Sequence, residues 1–512
     1  MDQILVKKAR IGMEKKVLQE EDTISSLPDH ILHEIMSLLP PRYAAITSVL
    51  SHRWLKIWLT FPSIQLDETK FRKREQFLHC LRATLAHRNL LNLQKLRLQR
   101  LRAGSLELYQ LINRFMDVVL SKGALKILEI TFLHYAHLRY EQLYVLSKEM
   151  FSLCSSLIAL RIEGCRFEGC GPVNLPSLKT LLMKNVIFEN QDFLQELIQG
   201  CPVLENLSTK YSNGIKNLRV FHPTLQRFVL GFCGEMESLE LDVPCVKSIK
   251  FKALDHFYDE LTQVLRYEKI WARNVQTLRL KHFTMRSEEL HNIISIFPKI
   301  EKLNMRCCEV LGDVKVLSNS LTTLRMSACI FQEEVEIEAP NLQAITYLHN
   351  SRGPKLDNMI FRHLTRIFLA NVQVSWILCI NNSTCPNLES LDLISCKNMK
   401  KLRIASSKLE SLNVSECEDL EFFMIVALQL SYFSYSGQVV STYQIVASMN
   451  LQVMLHLKGP QGYHDHDETE LHKFTQFLHK FDVSAKAVTI RLSYDCAMVY
   501  VFAINSIGFD CT

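Results

Sequence analysis

The sequence predicts an α/β solenoid, in which three short N-terminal helices lead into a long, curved array of stacked strand-and-turn coils that ends in an irregular C-terminal cap. Three observations carry that prediction. Between residues 25 and 62 apolar residues recur at three- and four-residue spacing, the mark of amphipathic helices. Beyond about residue 93 a unit of the form L-x-x-L-x-L-x-x-C/N/F recurs along the chain. Its starts fall 21 residues apart at 157 and 178, at 204, 225 and 246, at 300, 321 and 342, and at 388, 409 and 430. The composition is 48% apolar and 22% charged, which excludes collagen-like, low-complexity and wholly disordered classes. With 59 Lys and Arg against 53 Asp and Glu, the net charge of +6 gives no electrostatic case for a nucleic-acid partner.

Residues 1–22 read as a solvated, disordered leader, because Lys7, Lys8, Arg10, Lys15 and Lys16 interrupt any apolar core that a signal peptide needs. The first helix is marked by Ser25, Ser26 and Pro28 at its start and by Ile31, Leu32, Ile35, Leu38 and Leu39 on one stripe, and Pro40-Pro41 ends it. A second helical stretch runs from Tyr43 to Leu50. A third carries Trp54, Leu55, Ile57, Trp58 and Leu59 and stops at Phe61-Pro62. Three helices this short cannot hide all their apolar surface. The remainder either faces a second protein or packs on the following domain, and periodicity does not choose between the two.

The string SLPDHILHEIMSLLPPRYAAITSVLSHRWLKIW resembles an F-box, through Leu27-Pro28-Asp29, Ile31-Leu32, Ile35, Leu38-Leu39-Pro40, Ser48, Leu50-Ser51-His52-Arg53-Trp54 and Trp58. Its LSxRWxxxW ending is most similar to the plant branch of that family. The resemblance implies a module that docks on a Skp-type adaptor, and through it on a cullin scaffold and a RING subunit carrying the ubiquitin-conjugating enzyme. It also implies that Leu27, Pro28, Ile31, Leu32, Ile35, Leu38, Leu39 and Pro40 face the adaptor, while Trp54 and Trp58 build the module's own core. The organisation expected is an F-box over 23–66, a helical linker over 67–92, a repeat array over 93–437 and a cap region over 438–512.

The 21-residue period lies within the 20–29 range of leucine-rich repeats, so about fifteen coils form one continuous core. Wider spacings after residue 93 and after residue 246 imply outer-face elements, with helical pieces expected at Asp117–Leu120 and His256–Arg266. The segment from Phe422 to Leu457 lacks charge, but its Gln, Ser and Asn content fits strands rather than a membrane helix. Cys165, Cys233, Cys308, Cys329, Cys396 and Cys417 share one place in the repeat and read as small buried residues, not as metal or redox sites. Sixteen Cys in 512 residues fit reduced thiols in an intracellular protein of the nucleus or cytoplasm. No phosphate-loop, dinucleotide, nucleophile-elbow or H-E-x-x-H motif appears, and His464-Asp465-His466-Asp467 reads as a solvated loop, so no cofactor and no catalysis are expected.

In each L-x-L strand the middle residue points away from the core, which puts Arg97, Glu129, Arg161, Leu182, Val229, Lys250, Arg279, Asn304, Arg325, Phe368, Asp392 and Asn413 on the concave face. Arg161, Arg279, Asn304, Arg325, Phe368 and Asp392 are the candidate target-binding residues, since Arg, Asn and aromatics anchor protein partners. After about residue 437 the period is lost. Glu470–Phe481 then reads as a helix and residues 488–494 as a strand. Plant relatives of this kind often carry a further C-terminal domain whose pattern this sequence does not display, which implies a branch without it or a shortened product. The function expected is that of a substrate receptor in a Skp-cullin-F-box ubiquitin ligase. A repeat protein that binds partners without ubiquitin transfer is one alternative. The other is a hormone-type small-molecule co-receptor with a basic pocket drawn from Arg161, Arg279 and Arg325.

Overall fold

The computed structural model describes residues 24, 26–120, 124–133, 140–147, 150, 154–168, 173–190, 192–231, 236–253, 269–355, 360–438, 440, 442–448, 450–458, 485–494 and 497–501. The expectations for the leader, Cys233, His256–Arg266, His464–Asp467 and Glu470–Phe481 lie outside the described residues. The chain divides into two packed units, residues 1–204 with 212–214 and residues 205–211 with 215–512.

The first unit opens with α1 (Asp29–Leu38), α2 (Pro41–Ile46), a short 3₁₀ turn over Thr47–Val49 and α3 (His52–Thr60). Pro41 starts α2, where its missing N–H is not needed, and the Ser51 hydroxyl caps α3 by accepting from the Trp54 N–H at 3.2 Å. Leu32, Met36, Ala44, Trp54, Ile57 and Phe61 form the core of this module. Arg88, at the end of the linker, ties the module to the rest of the unit: its guanidinium lies 4.3 Å from the Trp58 ring centre and donates to the Phe61 carbonyl at 2.7 Å. Burial lowers the Arg88 pKa to about 10. Strand Ser63–Asp67 then joins the repeat array directly, pairing in parallel with Lys95–Leu101 across the linker helix Arg74–His87.

Each coil contributes a front strand of about five residues in which burial alternates. In Thr277–Lys281, for example, Leu278 and Leu280 point into the core. In the first unit the front strands Ser63–Asp67, Lys95–Leu101, Ile127–Phe132, Ala159–Glu163 and Thr180–Lys184 form one parallel ladder. Its wide spacing after residue 101 is filled by helix Leu106–Leu120, longer than the Asp117–Leu120 piece expected from sequence.

In the second unit the parallel front ladder runs from Asn206–Lys210 to Leu451–Lys458, so coils continue beyond residue 437. The uncharged segment from Phe422 onward is indeed strand, at Phe422–Ala427, Tyr432–Gly437, Thr442–Ala447 and Leu451–Lys458. Ala485–Tyr494 adds one more parallel strand, and Ala497–Val501 then pairs antiparallel with it. That reversal breaks the coil pattern at this end of the ladder. Back strands form shorter ladders behind the front one, such as Asn217–Phe221 with Ser238–Asp242, and Lys315–Leu317 with Glu336–Glu338. Helices Phe193–Gln199 in the first unit and Ser287–Ile296 in the second were not expected from the sequence, although Leu290, Ile293 and Ile294 lie on one buried stripe.

One backbone device turns many of the coils. The residue after the front strand takes a left-handed conformation at Cys307, Ala328, His349, Asn371 and Ser395, with φ of 50°, 52°, 52°, 51° and 49°. Non-glycine residues tolerate this cost of roughly 1–2 kcal/mol because each corner N–H is used. Cys307 and Ala328 donate to Ser327 and Leu348 of the next coil at 2.8 and 2.7 Å.

The cysteine position comes directly after the corner. Cys308 and Cys396 thiols donate back to the Leu280 and Leu369 carbonyls, each at 3.6 Å. Asn350 occupies the same slot and bonds the Cys329 N–H and the Met326 carbonyl at 2.8 and 3.2 Å. Cys165, Cys308, Cys329, Cys396 and Cys417 are all buried and free. The Cys308 and Cys396 thiols are pushed far up, first by hydrogen bonds with Cys329 and Cys417 and then by burial.

Candidate protein-interaction surfaces

The N-terminal helices divide the residues expected to face an adaptor. Leu38, Pro28 and Pro40 are exposed, Leu38 by 84%, and Leu27, Ile31, Ile35 and Leu39 are half-buried. Leu32 corrects the expectation: it is fully buried in the module's own core with Met36, Trp54 and Ile57. The reason is geometric, since residues 32 and 36 lie one turn apart on the stripe that faces α3.

The exposed apolar surface instead continues where the sequence was uninformative, through Tyr43, Ile46, Val49 and Leu50, with Val49 exposed by 80%. The alternation of small Ala44 and Ala45 with large Tyr43 and Ile46 was the available signal. Only Ala44 of that stretch is buried, so the larger neighbours turn outward. Asp29 is held at one edge of this surface by Arg53 at 2.9 Å, and that hydrogen bond keeps its carboxyl below the usual range.

The outward positions of the front strands fall into register rows, as the repeat pattern predicts. In the first unit Arg97, Glu129 and Arg161 are direct neighbours on three successive strands, with Leu182 next. Glu129 is nearly buried and lies 3.5 Å from Arg97 and 3.6 Å from Arg161, while Gln99 donates to it at 2.9 Å. Glu163 pairs with Arg161 at 3.7 Å and with Lys184 at 2.5 Å. Arg161, a candidate target-binding residue, is therefore already engaged by two carboxylates.

In the second unit the row reads Lys250, Arg279, Asn304, Arg325, Thr346, Phe368, Asp392 and Asn413. The structure thus brings Arg279, Asn304, Arg325, Phe368 and Asp392 onto one face, with Thr346 filling a place the sequence pattern had passed over. Two residues further along each strand, on the same face, lie Lys252, Lys281, Arg306 and Ser327. A groove of about 1040 Å³ opens at one end of these strands, between residues such as Gln226, Gln276, Glu301 and Gln343. None of Arg161, Arg279 and Arg325 lines it, so it is not the basic pocket considered from sequence.

Among the described residues no helix is long and apolar enough to cross a membrane.

Comparison with known proteins bears on both surfaces. The F-box domain family matches residues 24–65. The repeat family described as FBD-associated F-box protein At5g56370, LRR repeats, matches 116–265, and that described as At1g61320/AtMIF1, LRR domain, matches 266–358 and 353–487. The chain is similar to three Arabidopsis thaliana proteins in particular. It is 31% identical to FBD-associated F-box protein At5g60610 over 56% of this chain and 76% of that one. It is 28% identical to FBD-associated F-box protein At4g10400 over 81% and 87% of the two chains, and 27% identical to putative FBD-associated F-box protein At5g22720 over 77% and 84%.

Proposed function

Because the chain belongs to the FBD-associated F-box proteins with leucine-rich repeats, we propose that it is the substrate-recognition subunit of a Skp-cullin-F-box ubiquitin ligase. The F-box docks on the Skp-type adaptor, the adaptor joins the cullin, and the front strands of the repeats hold the target. The chain is a non-catalytic receptor in this reading. It works by raising the effective concentration of target lysines near the charged ubiquitin-conjugating enzyme. The reading places the protein in the nucleus or cytoplasm, where its thiols stay reduced.

The observation that supports it most is the apolar surface of the F-box. Leu38, Tyr43, Ile46, Val49 and Leu50 are large, exposed and confined to a short stretch of helices whose own core is already filled. Such a patch stays in water only at a cost of about 25 cal/mol per Å² of apolar area, and burial against a partner recovers it.

The test is capture of a purified Skp-type adaptor by the full chain and by a Leu38→Asp, Leu50→Asp variant. Both positions are exposed, so the variant folds, and we expect its adaptor affinity to fall by at least about a hundredfold. A folded wild-type chain that fails to capture the adaptor, or a variant that captures it equally well, would refute this reading.

A further inference from the structure

Across the front of the second unit, the strands Ser248–Lys252, Thr277–Lys281, Lys302–Arg306 and Thr323–Ser327 contain no acidic residue. Their outward positions place Lys250 beside Arg279, Lys252 beside Lys281, and Lys281 beside Arg306, with Asn304 between Arg279 and Arg325. The two preceding strands, Asn206–Lys210 and Arg227–Gly231, add Lys210 and again no carboxylate. A Cβ on Gly231 would lie 2.8 Å from the Lys210 Cβ and Cγ, so glycine at this point lets the Lys210 stem lie across the neighbouring strand.

The same chain neutralises its cations elsewhere. On the back strands Glu240 sits between Arg219, at 3.2 Å, and Lys269. Glu336 sits between Lys315 and Lys355 at 2.7 and 3.2 Å. On the front of the first unit Glu129 does the same for Arg97 and Arg161. Among the described residues, the strands from Ser248–Lys252 to Thr323–Ser327 place no carboxylate between their cations. Burial lowers the pKa of Lys250, and the charges of Lys210, Lys281, Arg279 and Lys252 push in the same direction.

From this placement we infer that the front of the second unit is a docking site for an acidic segment of the target protein, whose carboxylates take the place that Glu129, Glu240 and Glu336 fill elsewhere. The inference rests on the receptor reading and specifies the chemistry of its partner. Six adjacent strands at about 4.8 Å spacing span roughly 24 Å, the length of about seven extended residues. Arg279, Arg306 and Arg325 offer planar guanidinium forks, which match carboxylates two bonds at a time. A nucleic acid fits less well, because the net charge of the chain is only +6 and the face passes into uncharged Thr346 and apolar Phe368.

The probe is a fluorescein-labelled heptaglutamate peptide titrated into the full chain by anisotropy, with adaptor capture measured on the same preparations. The wild-type chain is expected to bind the peptide with an affinity that falls as salt rises. Asn304→Glu, which removes no cation but supplies the missing middle carboxylate, should weaken binding by about tenfold. Lys216→Gln, beside the back strands, makes the same change in net charge and should leave binding within about twofold.

Failure of the wild-type chain to bind the peptide, or equal binding by Asn304→Glu, overturns the inference. So does an equal loss in Lys216→Gln, which would mark attraction to net charge alone. Tighter binding of a labelled oligonucleotide of seven phosphates would assign the face to nucleic acid instead and also overturn it. Adaptor capture reads the F-box separately: if capture fails while the peptide result holds, the ligase reading falls and the acidic-segment site stands.

Discussion

Two triads at matching places in the repeat show how one substitution changes what a strand face does. In the first unit Arg97, Glu129 and Arg161 stand side by side on successive strands, and the middle carboxylate holds both guanidinium groups within 3.6 Å. In the second unit Arg279, Asn304 and Arg325 stand in the same relation, with a neutral amide in the middle. The first face pairs its own charges and stabilises its own coils. The second keeps like charges together at a cost in stability, which a protein bears where a partner supplies the opposite charge.

The largest expected effect comes from breaking the first triad. Glu129→Gln keeps the shape of the side chain and an acceptor for Gln99, but it leaves Arg97 and Arg161 facing each other. Removing one partner of a buried pair costs about 3–5 kcal/mol. Because side chains of the two arginines are 39% and 51% exposed, solvent screening brings the expected loss to about 2 kcal/mol. Thermal unfolding of the full chain reads it, and an unchanged midpoint would mean that the triad is ornamental.

Converting the second triad into the first is a smaller change of opposite sign. Asn304→Glu should stabilise the second unit by about 0.5 kcal/mol through cross-strand pairing with Arg279 and Arg325. The same variant should lose binding to the acidic peptide. Hydrogen exchange of the strands Thr277–Lys281 and Thr323–Ser327 would show the slower opening that this predicts. Faster exchange would show that repulsion between the two arginines is not what destabilises this face.

The smallest effect is a pH dependence. Lys250 has a folded pKa below its ordinary value of 10.5, so between the two values the unfolded chain binds more protons than the folded one. Stability arising from this group therefore rises with pH across that window and is lowest below it, where the lysine is charged in both states. Lys250→Met should raise the thermal midpoint slightly at neutral pH and flatten the rise. A steeper rise in the variant would reverse the sign assigned to this group.

Much of this was legible in residue order. The period of 21 placed the front strands at 159–163 and 180–184, at 323–327 and 344–348, and at 411–415 and 432–437. The shared cysteine position predicted a buried slot, which the structure fills with thiols in some coils and with Val186, Ser212, Phe283, Asn350 or Val372 in others. The helices Phe193–Gln199 and Ser287–Ile296 are not legible there, because each is shorter than the 11–18 residues over which a helical period separates from the alternation of the neighbouring strands. Leu32 was misplaced for a different reason. A stripe of apolar residues says that a face is buried, and only the position of α3 says against what.

The sequence by itself determined the local periodicities: three short amphipathic helices, a leucine or other apolar residue at the inward strand positions, a small residue after many of the corners, and the motif of the F-box. These depend on residues within a few places of one another, where helix and strand geometry fix which side chains share a face. Tertiary structure alone decided which charges are neutralised and which apolar residues remain in water. Arg97, Glu129 and Arg161 are 32 residues apart at each step, whereas Arg279, Asn304 and Arg325 are separated by 25 and 21. They become neighbours only because parallel coils stack in register, so a pairing that governs both stability and recognition is invisible until the coils are laid side by side.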